Sequence, residues 1–167
     1  AKYGDRFEKI VAANTGLPTG KAPLSEGFAV FREFLQIKPD LHVGGQVRNG
    51  TTKGIDENAL AAYNAPFPDD DHKQGVRQFP NLVPGTPRTP SAEPNKEAWK
   101  ILREWKKPFL CAFSDKDPIF SGVENSFYKL IPGCKDMPHV TIENAGHFLQ
   151  EDQPNACVEA ILSIKDI

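Results

Sequence analysis

Two stretches of this chain are apolar on both faces: Ile10-Val11-Ala12-Ala13, within a run at 9–14, and Pro108-Phe109-Leu110-Cys111-Ala112-Phe113. Such runs fit strands of a parallel sheet that is covered on both sides. A third strand is expected at 139–143, His-Val-Thr-Ile-Glu. Between these runs the apolar period changes to that of helices. From Ser25 onward, Phe28, Phe31, Phe34 and Leu35 mark one face of an amphipathic helix, with Ser25 as its cap. Residues 56–65 predict a short helix stopped by Pro66 and Pro68, and 72–79 a third. A proline-rich connection follows from Pro80 to Pro94. Beyond it, 95–105 predicts a helix with Ala98, Ile101, Leu102 and Trp105 on one face. Residues 123–130 predict another, and 153–164 a closing helix with Ala156, Ala160, Ile161 and Ile164 inward. The opening segment from Lys2 is charged and carries Phe7 and Ile10 at helical spacing. The alternation is that of an α/β sheet, and about Leu17 to Pro94 form a helical excursion placed like a lid.

At 167 residues, with 39% apolar and 25% charged residues, the chain can bury a real core. A net charge of −2 gives no field that steers it to nucleic acid or anionic lipid. No apolar run approaches the length of a bilayer span, so no membrane partner is expected. Three cysteines, Cys111, Cys134 and Cys157, show no metal-ligand spacing. They are expected as reduced thiols, with Cys111 and Cys157 buried. Asp69-Asp70-Asp71 reads as a solvated turn, not a metal site, and no cofactor is called for. His42, His72 and His139 read as surface or strand histidines without a role. A cytoplasmic location is expected; the periplasm stays open as the alternative, because the chain opens at Ala1 and its single methionine is Met137, so the native N-terminus is not in view.

Chemistry-bearing residues collect just past the carboxyl ends of the expected strands, where open α/β sheets place their functional groups. Asn14, Asp117 and His147 all lie there. The stretch Asn144-Ala145-Gly146-His147-Phe148 sets one imidazole on a glycine turn, and Phe113-Ser114-Asp115-Lys116-Asp117-Pro118 sets carboxylates beyond another strand. A carboxylate and an imidazole at neighbouring strand ends can orient a base and activate water. The chain has no Gly-x-Ser-x-Gly and no comparable nucleophile elbow.

These residues resemble the haloalkane dehalogenase family of the α/β-hydrolase superfamily. The resemblance rests on Asp5-Arg6-Phe7, on 10–20 (Ile-Val-Ala-Ala-Asn-Thr-Gly-Leu-Pro-Thr-Gly), and on 62–69 (Ala-Tyr-Asn-Ala-Pro-Phe-Pro-Asp). It continues in 113–118 and in 145–152, Ala-Gly-His-Phe-Leu-Gln-Glu-Asp. In that family an aspartate displaces halide from an alkyl carbon, and a carboxylate-oriented histidine then activates water against the resulting ester. The resemblance implies Asp117 as the carboxylate and His147 as the base. Position in the motif favours Asp117 over Asp115. Asn14 stands where one branch of the family carries its acid, and an amide cannot take that role.

The family match further implies an apolar pocket lined by Phe28, Phe31, Leu35, Phe79, Pro80, Val83, Ile119 and Phe148. Phe31 stands where the resembling branch has a tryptophan that donates its indole N–H to the departing halide. Phenylalanine has no such donor, which would cost roughly 1.5–3 kcal/mol of transition-state stabilisation. Neither Trp99 nor Trp105 replaces it, both being outside the lid.

The expected organisation is a partial α/β-hydrolase fold. Residues 1–16 end the nucleophile-side helix and give the first strand, 17–94 form the helical cap, and 95–167 complete the main-domain portion. The partners implied are a small halogenated alkane, water and a complementing N-terminal half that bears the nucleophile. The 167 residues by themselves are expected to be inactive. An epoxide hydrolase or an esterase of the same layout is the alternative enzyme, although the cap offers only Tyr63 as an epoxide-opening acid. A non-catalytic fragment that needs a complementing partner is the alternative from another class.

Overall fold

Every residue of the central strand is buried, and the rest of its unit is arranged to cover it. The computed structural model describes residues 3–165, so the start of the opening segment at Lys2 lies outside the described residues. Strands β1 (Ile10–Ala12), β2 (Phe109–Ser114) and β3 (Val140–Ile142) form a parallel sheet in the order β1-β2-β3. Val11 lies opposite Leu110, and Phe113 opposite Thr141. The side chains of β2 alternate in direction, as a pleated strand requires. Phe109, Cys111 and Phe113 enter one core with Ala12, Trp105, Phe127, Ile131 and Cys134. Leu110 and Ala112 enter the opposite core with Ile142, Ala145, Leu149, Ala160 and Ile164. A strand between two apolar layers therefore reads as a continuous apolar run.

The chain divides into two compact units, one Pro18–Asn95 and the other joining the residues before Pro18 to those after Asn95. The first holds helices α1 (Glu26–Ile37), α2 (Val43–Asn49), α3 (Glu57–Asn64) and α4 (Gln74–Gln78). Ser25 caps α1 by accepting the Phe28 N–H, and Asp56 caps α3 by accepting that of Ala59. At the other end of α1, the Arg77 guanidinium donates to the carbonyls of Leu35 (2.6 Å), Lys38 (2.9 Å) and Pro39 (3.1 Å). These carbonyls lack helical partners, so a planar five-donor cation satisfies several at once. Helix α2 was not legible as such, since Gly44-Gly45 disfavours helix. It forms by packing on α3: a Cβ at Gly44 would meet the Leu60 carbonyl oxygen at 2.6 Å, and the Gly44 N–H donates to Asn64 Oδ1. The helix expected at 72–79 is broken into a 3-10 turn at Asp71–Lys73, α4, and a second turn at Phe79–Leu82. Pro80 accounts for the second break, because it has no N–H to continue the helix.

The second unit holds the sheet with helices α5 (Ala92–Leu102, which begins in the first unit), α6 (Glu124–Leu130), α7 (Leu149–Asp152) and α8 (Pro154–Ser163). Helix α5 starts earlier than 95 because Pro94 falls in its first turn, where no N–H is required. It ends before Trp105, which is nevertheless buried, with its carbonyl taken by the Gly133 N–H at 2.7 Å. Gly133 is obligatory there, since a Cβ would lie 2.0 Å from the Lys107 carbonyl oxygen. Two residues expected inward face solvent, Ile101 at 44% and Ile161 at 55% exposed. Each adjoins the buried stripe of its helix but lies too far round the axis to reach the sheet. The opening segment makes one 3-10 turn, Gly4–Arg6, in place of a longer helix. The cysteines are free; Cys111 is buried as expected and Cys134 is buried too, whereas Cys157, expected buried, is only half-buried. Among the described residues no helix is long and apolar enough to cross a membrane.

His139 has a structural role that the sequence did not reveal. Its Nδ1 accepts the Cys111 N–H at 3.0 Å, and its Nε2 donates to the Cys134 carbonyl at 2.9 Å. The imidazole thus replaces a strand partner for β2 just before β3 begins. Both bonds together require the neutral ring. Burial pulls its pKa below the ordinary 6.5, against the upward pull of the bond to Cys134. A histidine with a depressed folded pKa contributes stability that is present above the unfolded value and lost as pH falls through the folded one. Thermal unfolding should therefore show stability declining as pH drops below about 6.5, a decline that His139→Asn diminishes. An NMR titration placing the His139 midpoint at or above 6.5 would contradict this account.

Candidate active site

The carboxyl ends of all three strands converge on one loop, 144–148. The turn after β2 is fastened to it by main-chain bonds: Asp115 N–H to Ile142 O (3.2 Å) and Lys116 N–H to Ala145 O (3.1 Å). In return the Ala145 N–H donates to Asp115 Oδ1 at 3.1 Å, and Lys116 Nζ to Asn144 Oδ1 at 3.1 Å. Asn144 turns the chain with a left-handed φ of 57°, which an asparagine tolerates better than most residues. Asp115 thus serves as a brace for the turn.

That turn carries Asp117, and the loop carries His147. Asp117 Oδ2 lies 3.0 Å from His147 Nδ1, while its Oδ1 accepts the Ile119 N–H at 2.8 Å. The carboxylate side chain is 1% exposed and the imidazole 27% exposed. One partner is fixed inside the protein and the other reaches its surface. With Nδ1 engaged as donor, Nε2 is the nitrogen available to take a proton. Phe120 stacks on the imidazole at 5.7 Å, and Phe148 meets it edge-on at 5.0 Å. The ring is therefore held by one ionic hydrogen bond and two aromatic neighbours.

Asn14 stands at the end of β1, buried and with a left-handed φ of 38°. Its Nδ2 lies 2.8 Å from Ser114 Oγ, 2.9 Å from Gly146 O and 3.0 Å from His147 O. Its Oδ1 accepts the Ser114 N–H at 2.9 Å, and Ser114 Oγ donates to Gly146 O at 2.8 Å. The amide engages the main chain around the histidine, as a neutral donor and acceptor, and Asp117 is the carboxylate at the ring. From the other side Asp152 Oδ2 accepts the Gly146 N–H at 2.8 Å. Asp152 is 2% exposed.

The structure brings together Asp117, His147, Ile119 and Phe148 in one unit. Phe28, Phe31, Leu35, Phe79, Pro80 and Val83 belong to the other unit. Phe28, Leu35 and Pro80 are buried there, Phe31 and Val83 half-buried, and Phe79 is 73% exposed. Sequence reasoning missed Ser114, Phe120 and Asp152. Asp152 carried only a faint signal, an acidic residue shortly after the Gly-His turn and flanked by residues of a helix start. Among the described residues no three His, Cys, Asp or Glu side chains gather to hold a metal ion. Ser114→Ala should lower stability by about 1–3 kcal/mol, the cost of leaving buried partners unsatisfied, as read from urea unfolding.

No family model matches the chain. It is 50% identical over 153 residues to a haloalkane dehalogenase of Psychrobacter cryohalolentis, covering 92% of this chain and 50% of that protein. It is 39% identical over 163 residues to a haloalkane dehalogenase of Mycobacterium marinum, covering 98% of this chain and 54% of the relative. The chain spans about half the length of the curated relatives it matches. Among solved structures, the tetrameric haloalkane dehalogenase DpaA of Paraglaciecola agarilytica superposes with a TM-score of 0.86 at 28% identity. The match covers 99% of this chain and 55% of that one. An ancestral haloalkane dehalogenase has the same fold, with a TM-score of 0.78 at 19% identity over 99% of this chain and 63% of its own.

Proposed function

This chain is a homologue of the haloalkane dehalogenases with part of an α/β-hydrolase fold, and we propose that it supplies the acid–base half of a hydrolase that cleaves carbon–halogen bonds with water. The observation that carries the proposal is the Asp117–His147 pair, 3.0 Å apart, with the carboxylate buried and the imidazole open on one side.

In the proposed reaction a carboxylate nucleophile, supplied from outside these 167 residues, attacks the carbon that bears the halogen. A C–O bond forms as the carbon–halogen bond breaks, and halide leaves with the bonding pair. His147 Nε2 then takes a proton from water as that water attacks the ester carbonyl. The alcohol departs, the nucleophile regains its carboxylate, and the proton passes to solvent. Asp117 keeps the imidazole oriented through Nδ1 and stabilises the imidazolium while it exists. No step requires a cofactor or metal.

The substrate is a small halogenated alkane, and Phe148 beside His147 supplies part of its apolar lining; the other lining residues are those that the resemblance implies. Phe31 offers the leaving halide a weakly positive ring edge and no N–H. The cap is the helical stretch 17–94, and the complementing half is the partner that brings the nucleophile.

The test is halide release from primary bromoalkanes. The 167 residues alone should release none above heat-denatured protein. Joined downstream of the half of the Psychrobacter relative that they do not match, they should release halide. His147→Ala should abolish turnover, and Asp117→Asn should lower it by about 10²- to 10⁴-fold. A folded joined protein without halide release, or full turnover after His147→Ala, would overturn the proposal. In the same joined protein, Phe31→Trp should raise the rate of halide departure by about 10-fold or more, which stopped-flow halide detection measures directly.

A further inference from the structure

We infer that Asn14 and Asp152 are positioning residues for His147: they grip the Gly146–His147 main chain from two sides and so set the direction of the imidazole. The inference rests on the reading of His147 as the base and identifies what aims it.

The Asp117 bond fixes only one point of the ring. The other is the Cα of His147, whose place depends on the peptide before it. Both polar groups of Gly146 are held by buried side chains. Its N–H goes to Asp152 Oδ2 at 2.8 Å, and its carbonyl to Asn14 Nδ2 at 2.9 Å and Ser114 Oγ at 2.8 Å. The His147 carbonyl is held by the same Asn14 amide at 3.0 Å. A glycine would otherwise leave this the freest point of the loop.

Both residues are of types rarely buried: Asn14 is 7% exposed and Asp152 2%. Burying a carboxylate is unfavourable unless hydrogen bonds compensate it. Here it holds the peptide N–H next to the base. Asn14 is anchored in turn, since its Oδ1 accepts the Ser114 N–H at the end of β2. The histidine loop is thereby referenced to β1 and β2, the second of which leads to Asp117. Acid and base are thus tied to one frame. An error of about 1 Å in such a frame costs on the order of 100-fold in rate.

The two chemical steps separate this role from a merely structural one. Ester formation does not use His147, whereas ester hydrolysis does. In the joined protein, Asp152→Ala should slow ester hydrolysis by about 10- to 100-fold and leave halide release in the first turnover unchanged. Intact-mass measurement should then show the alkylated protein accumulating. Asp152→Asn, which keeps an oxygen acceptor for the Gly146 N–H, should recover most of the rate. Asn14→Ala should show the same split between the steps. In a His147→Ala background, adding Asp152→Ala should change nothing further.

Should Asp152→Ala reduce the folded fraction, Asp152→Ser keeps a polar group there with a shorter reach and is read the same way. Equal slowing of both steps, or a further loss in the His147→Ala background, would show that Asp152 only holds the fold and would overturn the inference. A His147→Ala protein that hydrolyses the ester at the unaltered rate would instead overturn the base assignment, a separate failure.

Discussion

Strand β2 has all six residues buried, and this constraint organises the unit around it. A strand without a solvated face must be covered by two apolar layers and hydrogen-bonded along both edges. The odd and even positions of β2 supply two separate cores, and β1 and β3 take its two edges in parallel. Parallel pairing aligns the carboxyl ends of the strands. Asn14, Ser114 and the turns leading to Asp117 and His147 therefore meet at one end of the sheet. The site is a consequence of how the apolar strand is satisfied.

At that end the apolar layers give way to a compact buried polar cluster. Asn14, Ser114, Asp117 and Asp152 are the buried polar or charged residues among the described residues, and each bonds within the histidine loop or the turns that abut it. Buried polar groups that are fully satisfied specify one arrangement, because any shift leaves a donor or acceptor without a partner. The cluster therefore gives the loop a rigidity that Gly146 alone would not. In the proposed reaction His147 must hold its angle through proton transfer, and the cluster would serve that by gripping the main chain beside the ring.

How much of this was legible depended on the range of the forces involved. The strands were readable because burial on both faces leaves a continuous apolar run, and the caps Ser25 and Asp56 because they act within one turn. The pairing of Asp117 with His147 was legible through the motif context that placed both beyond strand ends. Helix α2 was not, since its two glycines argue against it locally and only the close approach to α3 at Leu60 explains them. The unequal burial of Cys134 and Cys157 was equally hidden, being settled by where a 3-10 turn and a helix face fall on the sheet. His139 and Asp152 escaped for a similar reason. Their partners, Cys111 and Gly146, are reached only once the sheet has formed. Single polar residues carry no period, so their roles come from tertiary structure.

The groups described above that hold His147 lie in one unit: residue 14 at the end of β1, 114–120 after β2, and 144–152 after β3. The proposed base and its acid are consequently assembled by residues that are distant in sequence but lie in this one unit. That placement would separate two properties that substitutions change independently. In the proposed reaction, residues that contact the loop would alter how the water-activating step proceeds, because that step alone would depend on the imidazole. In the same proposed reaction, Phe31 would alter how the leaving group is received, because halide would depart before the base acts. The proposed hydrolase could thus vary its pocket while the proton-transfer geometry stays fixed. On that proposal, substitutions that change the substrate range and substitutions that change turnover would fall on different parts of the chain.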